Sequence, residues 1–221
     1  MKKLYGVGTG PGDKELLTLK AVRVIRDAEV IFAPNNRGKN MALDTAKDYI
    51  INKRVVLIDF HMGEVDKADY KTASEIIKNE IPHGEHGVFL TIGDPMIYST
   101  FIFIMKELED SDVEVEIVPG IPSFVAGAGI SRTPIAVKGE KFLLCDEEPE
   151  AELLKSIDCV CALKVFKDKK KMIDIFDDKG FTYSYIKRCT LEDEKVLTDK
   201  EEILKEHDYM SFIMGRRYKN D

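Results

Sequence analysis

Five short apolar runs between Lys3 and Gly120 constrain this chain more than any other feature: KLYGVG, EVIFAP, RVVLIDF, GVFLTIG and VEVEIVPG. Segments of helical period separate them. In ELLTLKAVRVIRDA the apolar residues Leu16, Leu17, Leu19, Val22, Ile25 and Ala28 recur at helical spacing, and NMALDTAKDYII, YKTASEIIKNEI and STFIFIMKELED read as further helices. Strand and helix alternating in this way imply an α/β layer with a largely parallel sheet, because parallel neighbours are joined through a crossover. Asp13 is expected to cap the first helix, with Glu15 in its acid-favouring first turn.

The segment VPGIPS is the best boundary. After it come SFVAGAGI, a helix of small residues, and the strand-like runs EKFLLCD, SIDCVCALKV, TYSYIKRCT and YMSFIMGRR. AELLKSI, KKMIDIFDDKG and KEEILKEH are short helices between them, and TLEDEKVLTD is a hairpin or a loop with a short strand. The expected organisation is two α/β domains, residues 1–118 and 119–221, with an active-site cleft between them. Ligands favour domain interfaces and the carboxyl ends of strands in such sheets.

Hydrophobic residues make up 44% of the chain, enough for a core, and the net charge of −7 argues against a nucleic-acid partner. An anionic small substrate stays open, since local basic residues can line a pocket on an acidic protein. The four cysteines contain no CxxC pair, and Cys159 and Cys161 lie in an apolar run as core thiols on one strand face. MKKLYGVGTG lacks a signal-peptide core, and no apolar run approaches the ~18–20 residues of a membrane helix, so a soluble cytoplasmic protein is expected.

LYGVGTGPGD packs four glycines behind the first strand. The dinucleotide pattern G-x-G-x-x-G fails in both registers: from Gly6 the third glycine position is Pro11, and from Gly8 it is Asp13. The second strand ends in Pro34, Asn35 and Asn36 rather than an acid, and no Gly-Lys-Ser/Thr triplet occurs. The loop is either a plain strand-to-helix turn or a place where backbone approaches a ligand. LTIGDPMIYSTF and IVPGIPSF also run from a strand through glycine and proline into a helix. Three such loops at one edge of a parallel sheet point to a ligand held largely by backbone groups.

YGVGTGPGDKELLTLKAVRVIRDAEVIFAP, GDPMIYSTF and VPGIPSF together resemble the tetrapyrrole methylases, S-adenosylmethionine-dependent enzymes of a bilobal α/β fold. The resemblance covers nearly the whole chain. Within the family, GDPMIYSTF is similar to the branch that methylates carbon 20 of precorrin-2 or its cobalt form. A different corrin-pathway acceptor, or a catalytically silent cofactor-binding protein, are the alternatives. The resemblance implies a homodimer and a cofactor, S-adenosylmethionine, contacted by Gly93, Asp94, Ile97, Ser99 and Thr100, by Gly120, Ile121 and Ser123, and by Leu163, Lys164, Cys189 and Thr190. Gly10 and Pro11 are expected at the substrate side, with Pro11 at the cleft floor facing both ligands. Pro122 stands where the family often has Thr, and Leu163 where it often has Met.

Methyl transfer from a sulfonium to carbon is an in-line displacement that needs alignment and exclusion of water. It requires no metal, and His83 and His86 in PHGEH lack a third ligand. After attack the methylated carbon must lose a proton, for which Tyr98 is the first candidate acceptor and Asp94, also readable as a helix cap, the second. Tyr98 reads equally well as a packing residue. The implied tetrapyrrole carries carboxylates, so Arg37, Lys39, Arg132, Lys138 and Arg188 are candidate partners. His61, where relatives often have Pro, faces the pocket or lies in an ordinary exposed loop.

Overall fold

The computed structural model describes residues 1–35, 40–60, 67–164 and 169–218. The chain forms two compact units, Met1–Pro122 and a second that starts at Ser123. The division falls inside VPGIPS, a few residues beyond the expected boundary. Residues 119–122 stay with the first unit because Gly120 is packed against Gly8 and bonded to Asp94.

The first unit alternates β1 (Lys2–Gly8), α1 (Leu19–Asp27), β2 (Val30–Pro34), α2 (Met41–Ala46), β3 (Arg54–Ile58), α3 (Lys67–Glu80), β4 (His86–Thr91), α4 (Phe101–Glu107) and β5 (Val113–Val118). Its five strands are all parallel, in the order β3-β2-β4-β1-β5. Side chains alternate across the sheet. Leu4, Phe32 and Phe89 join Ile77 of α3 and Phe101 and Ile104 of α4 in one core layer. Val7, Ile31, Val88 and Leu90 join Val24 and Ile25 of α1 and Ala42 of α2 in the other. Burial on both faces explains why these strands read as continuous apolar runs. On the edge strand β5, Glu116 is bonded to Lys20 at 2.5 Å and to Lys3 at 2.7 Å, and this pairing holds its carboxyl at about 2. Paired charges along an exposed edge discourage strand-to-strand association.

The first helix starts later than its apolar spacing suggests. Asp13 caps a single 3-10 turn, accepting the Glu15 N–H at 2.9 Å, and α1 begins only at Leu19. Its cap is Thr18, whose hydroxyl accepts the Ala21 N–H at 3.1 Å.

The second unit holds α5 (Ser123–Ile130), β6 (Phe142–Cys145), β7 (Cys159–Leu163), α6 (Lys169–Asp178), β8 (Thr182–Lys187), β9 (Lys195–Leu197), α7 (Lys200–Lys205) and β10 (Ser211–Arg216). AELLKSI makes a 3-10 turn over Leu153–Ser156 rather than an α-helix. The strand order is β6-β7-β10-β8-β9, with β6 and β7 parallel and the other pairs antiparallel. Val160, Ala162 and Ile213 pack with Ile173 and Phe176 of α6 and Ile203 of α7. Cys159 and Cys161 point to the opposite face and are fully buried, and burial raises both thiols above the ordinary range. Among the described residues no helix is long and apolar enough to cross a membrane.

Candidate active site

The order β4-β1-β5 sets three carboxyl ends side by side, with Gly8 level with Thr91 and Val7 level with Val118. The loops beyond them are joined. Gly93 donates its N–H to the Gly10 carbonyl at 2.8 Å, and Gly10 donates to the Gly93 carbonyl at 3.3 Å. Both residues have positive φ, 74° and 68°, which glycine adopts without strain. Gly8 and Gly120 are required for a different reason. A Cβ on Gly8 would strike the Gly93 carbonyl oxygen and come within 2.5 Å of the Gly120 nitrogen. One on Gly120 would strike the same oxygen and lie 2.8 Å from the Gly8 Cα. The three loops therefore meet backbone to backbone.

Asp94 ties the second loop to the third. One carboxylate oxygen accepts the Met96 N–H at 2.8 Å and the other accepts the Gly120 N–H at 3.1 Å. It does not cap α4, which is preceded directly by Thr100. The Ser99 hydroxyl is 3.1 Å from that of Thr91 and accepts the Phe101 N–H at 3.2 Å. Tyr98 lies ahead of α4 rather than within it, at φ 45° and 45% exposed. Together with Asn40, Ile92, Ile97, Ser99 and Thr100 it lines a cavity of about 220 Å³ at the carboxyl ends of β2 and β4. Gly10 and Pro11 are buried, and Ile121 is half-buried.

In the second unit the candidate residues gather where β7 and β8 end. These strands flank β10 with the same orientation, so their carboxyl ends share an edge. The Lys164 N–H bonds to the Ser211 carbonyl at 3.3 Å and the Arg188 N–H to the Met210 carbonyl at 2.8 Å. Leu163 is half-buried opposite Phe212. The buried Cys189 thiol approaches the carbonyl of Ser123, the first residue of α5, at 3.5 Å, and burial pushes it up to about 12. The Thr190 N–H is held by Glu194 at 2.6 Å.

Backbone strain marks the same positions. Among the described residues, non-glycine positive φ occurs at Asn52, Tyr98, Arg132, Lys164, Arg188 and Thr190. All but Asn52 are candidate site residues from the sequence. Such conformations cost about 1–3 kcal/mol each and concentrate where function over-determines the backbone.

A family model of the tetrapyrrole (corrin/porphyrin) methylases matches residues 3–204. The chain belongs to this family. The probable cobalt-precorrin-2 C(20)-methyltransferase of Methanocaldococcus jannaschii is 34% identical, over 99% of this chain and 98% of its own. The cobalt-precorrin-2 C(20)-methyltransferase of Salmonella typhimurium is 30% identical over 74% of this chain and 73% of its own. Among solved structures, a cobalt precorrin-4 methyltransferase superposes with TM-score 0.78 at 21% identity, covering 97% of this chain and 94% of that one. The uroporphyrin-III C-methyltransferase of Thermus thermophilus complexed with S-adenosyl homocysteine gives 0.71 at 21% identity and covers 97% of both. These two likenesses establish the fold.

The candidate cations of this tetrapyrrole methylase divide three ways. Arg37 and Lys39, like His61, lie outside the described residues. Arg132 and Lys138 are exposed on the segment between α5 and β6. Arg188 is already engaged, by Asp208 at 2.6 Å and Asp193 at 2.5 Å. Among the described residues no cluster of His, Cys, Asp or Glu could hold a metal, and the His86 ring nitrogen faces the Val24 carbonyl at 3.3 Å. Sequence reasoning missed the part played by Gly8. It also missed the pair that anchors the Arg132–Lys138 segment, Glu140 and Arg216.

Proposed function

We propose that this tetrapyrrole methylase transfers the methyl group of S-adenosylmethionine to carbon 20 of cobalt-precorrin-2, or of its metal-free form, in corrin synthesis. The observation that carries the transfer chemistry is the edge at which Gly8, Gly93 and Gly120 pack backbone on backbone. The near full-length relative at 34% identity supports the acceptor.

The residues present fit the cofactor. The edge offers peptide groups, the hydroxyls of Ser99 and Thr100, and the apolar Ile97 and Ile121, with Asp94's oxygens already taken by N–H groups. A molecule with a nucleoside end and an amino-acid end is bound by such a mixture of apolar walls and a few fixed polar groups. The cofactor, when bound, supplies a methyl group activated by positively charged sulfur. The joined loops fix the position of the donor, and Ile92 and Ile97 give the neighbouring cavity an apolar wall. In the second unit, the family resemblance assigns Ser123, Leu163, Lys164, Cys189 and Thr190 to the cofactor, and the strained backbone at Lys164 and Thr190 supports a functional role there. Arg132 and Lys138 meet substrate carboxylates, whereas Arg188 is committed first to its own acidic partners.

Tyr98 accepts, on its phenolic oxygen, a hydrogen bond from the proton leaving the methylated carbon, and solvent carries that proton away. Its positive φ and exposure at the cavity rim support that role over core packing. Tyr98→Phe is expected to lower kcat by about 10²-fold, the lower range of general-base effects, with S-adenosylhomocysteine affinity unchanged. Wild-type turnover in this variant would clear Tyr98.

The deciding experiment supplies labelled S-adenosylmethionine and either cobalt-precorrin-2 or precorrin-2 under reducing conditions. Label transferred to carbon 20 is the expected result, and no transfer to either acceptor overturns the assignment. Four free cysteines support a reducing compartment, the cytoplasm. A homodimer is the expected assembly, and light scattering that returns the mass of one chain at working concentration would refute it.

A further inference from the structure

We infer that Asp94 is a positioning residue: by holding Gly120 against Gly93 it sets the spacing of the cofactor-binding edge, and it does not itself exchange protons with the substrate. The inference rests on the methyltransferase reading and specifies how its binding edge is built.

The two loops that flank β1 are anchored differently. The loop after β4 is joined to the loop after β1 by the reciprocal Gly10–Gly93 bonds, which are backbone on both sides. The loop after β5 begins with Pro119, which has no N–H, so the Gly120 N–H is the first donor that segment can offer. That donor goes to the Asp94 side chain. The other oxygen of the same carboxylate accepts the Met96 N–H, which holds the side chain in one rotamer. A single planar group thus receives one bond from its own loop and one from a loop two strands across.

The chemistry calls for a carboxylate. Two N–H donors converge on two oxygens, and an ionised acid provides an acceptor at each. An amide of the same shape presents one oxygen and one NH₂, so in either orientation one of the donors faces another donor. A charged acceptor also makes a stronger bond to N–H than a neutral one. Both Asp94 oxygens face backbone donors of the two loops, whereas the proton chemistry is assigned to Tyr98. The neighbouring fit leaves little slack, because the Gly93 carbonyl sits where either Gly8 or Gly120 would carry a Cβ.

The test is Asp94→Asn, read in the cofactor-free protein and in the assay. Amide hydrogen exchange at Gly120 should accelerate by at least about tenfold, the scale of one lost charge-assisted bond. S-adenosylhomocysteine affinity should fall, and KM for S-adenosylmethionine rise, by about tenfold. At saturating cofactor, kcat should stay within about threefold of wild type, and KM for the tetrapyrrole should not move. Unchanged Gly120 exchange with wild-type affinity overturns the inference. So does a collapse of kcat with affinity and exchange unchanged, which would make Asp94 a participant in the chemistry. If Asp94→Asn does not fold, wild-type exchange decides. The Met96 and Gly120 amides should be protected together and slowed further together by S-adenosylhomocysteine, and independent behaviour refutes the tie. A wild-type protein that binds no S-adenosylhomocysteine removes the methyltransferase reading and this inference with it, an outcome seen without any variant.

Discussion

Gly8→Ala should raise the dissociation constant for S-adenosylhomocysteine by about ten- to a hundredfold, the scale of the ~1–3 kcal/mol that overpacking a tight contact costs. The effect does not come from backbone dihedrals, since Gly8 is absent from the positive-φ residues and alanine can adopt its conformation. It comes from what the methyl group meets: the Gly93 carbonyl oxygen, the Gly120 nitrogen at 2.5 Å and the Gly120 Cα at 2.7 Å. All three are backbone atoms. They cannot turn aside as a side chain would, so the loops after β4 and β5 must separate from β1. Separation breaks the alignment on which a backbone-held ligand depends. Gly84→Ala is the matched control. It sits at φ 90° with nothing within 4 Å of the place a methyl group would take, so it carries dihedral strain alone. Calorimetric titration should find normal affinity in Gly84→Ala and an affinity at least about tenfold weaker in Gly8→Ala. Wild-type affinity in Gly8→Ala would refute the packing account.

The sequence makes those three loops visible but not their contact. Strand-then-glycine-then-helix is a local signal, and VGTGPGD, TIGDP and VPGIP all carry it. That β1 lies between β4 and β5 is a statement about strand order, which no local period encodes. For the same reason Asp94 reads from sequence as a helix cap, the usual job of an Asp ahead of a helical run, while its second partner is Gly120, brought beside it by the sheet. Asp13 and Thr18 show the converse. Both are good capping residues at the head of one apolar pattern, and the choice of Thr18 for α1 depends on a 3-10 turn intervening, which spacing alone does not reveal.

The second unit is less legible in direction than in content. Its strand runs are in place, but β10, last in the chain, inserts between β7 and β8 and makes the sheet mostly antiparallel. Arg188 illustrates the limit for charge. From sequence it is one more cation for an anionic substrate, whereas the fold places Asp208, twenty positions on, against its guanidinium. Positive φ at Lys164, Arg188 and Thr190 is a property of the backbone that residue identity does not announce, since none of the three is glycine or asparagine.

Glu140→Gln should lower the thermal midpoint by roughly 5–10 °C and weaken tetrapyrrole binding with cofactor affinity preserved. Arg216 on β10 is 4% exposed and Glu140 11%, and one guanidinium nitrogen meets both carboxylate oxygens, at 2.7 and 2.6 Å. Its other terminal nitrogen donates to the Pro134 carbonyl at 2.7 Å, and the Val137 N–H donates to Glu140 at 2.8 Å. The pair therefore pins both parts of the segment that bears Arg132 and Lys138. Removing one partner leaves a buried charge without its counterion, which destabilises far more than the intact pair stabilises. Changing both, Glu140→Leu with Arg216→Met, should recover most of the lost midpoint but not substrate affinity, because the segment loses its anchor while the burial defect is relieved. The pH dependence has a definite sign. Hydrogen bonding from Arg216, then from the Val137 N–H, holds the Glu140 carboxyl below its ordinary value. Its contribution is complete above the unfolded carboxylate pKa and is lost as pH falls through the lower folded one. The gap in midpoint between wild type and Glu140→Gln should accordingly be widest near neutrality and close in acid. A gap independent of pH would mean that the ion pair is not what anchors the segment.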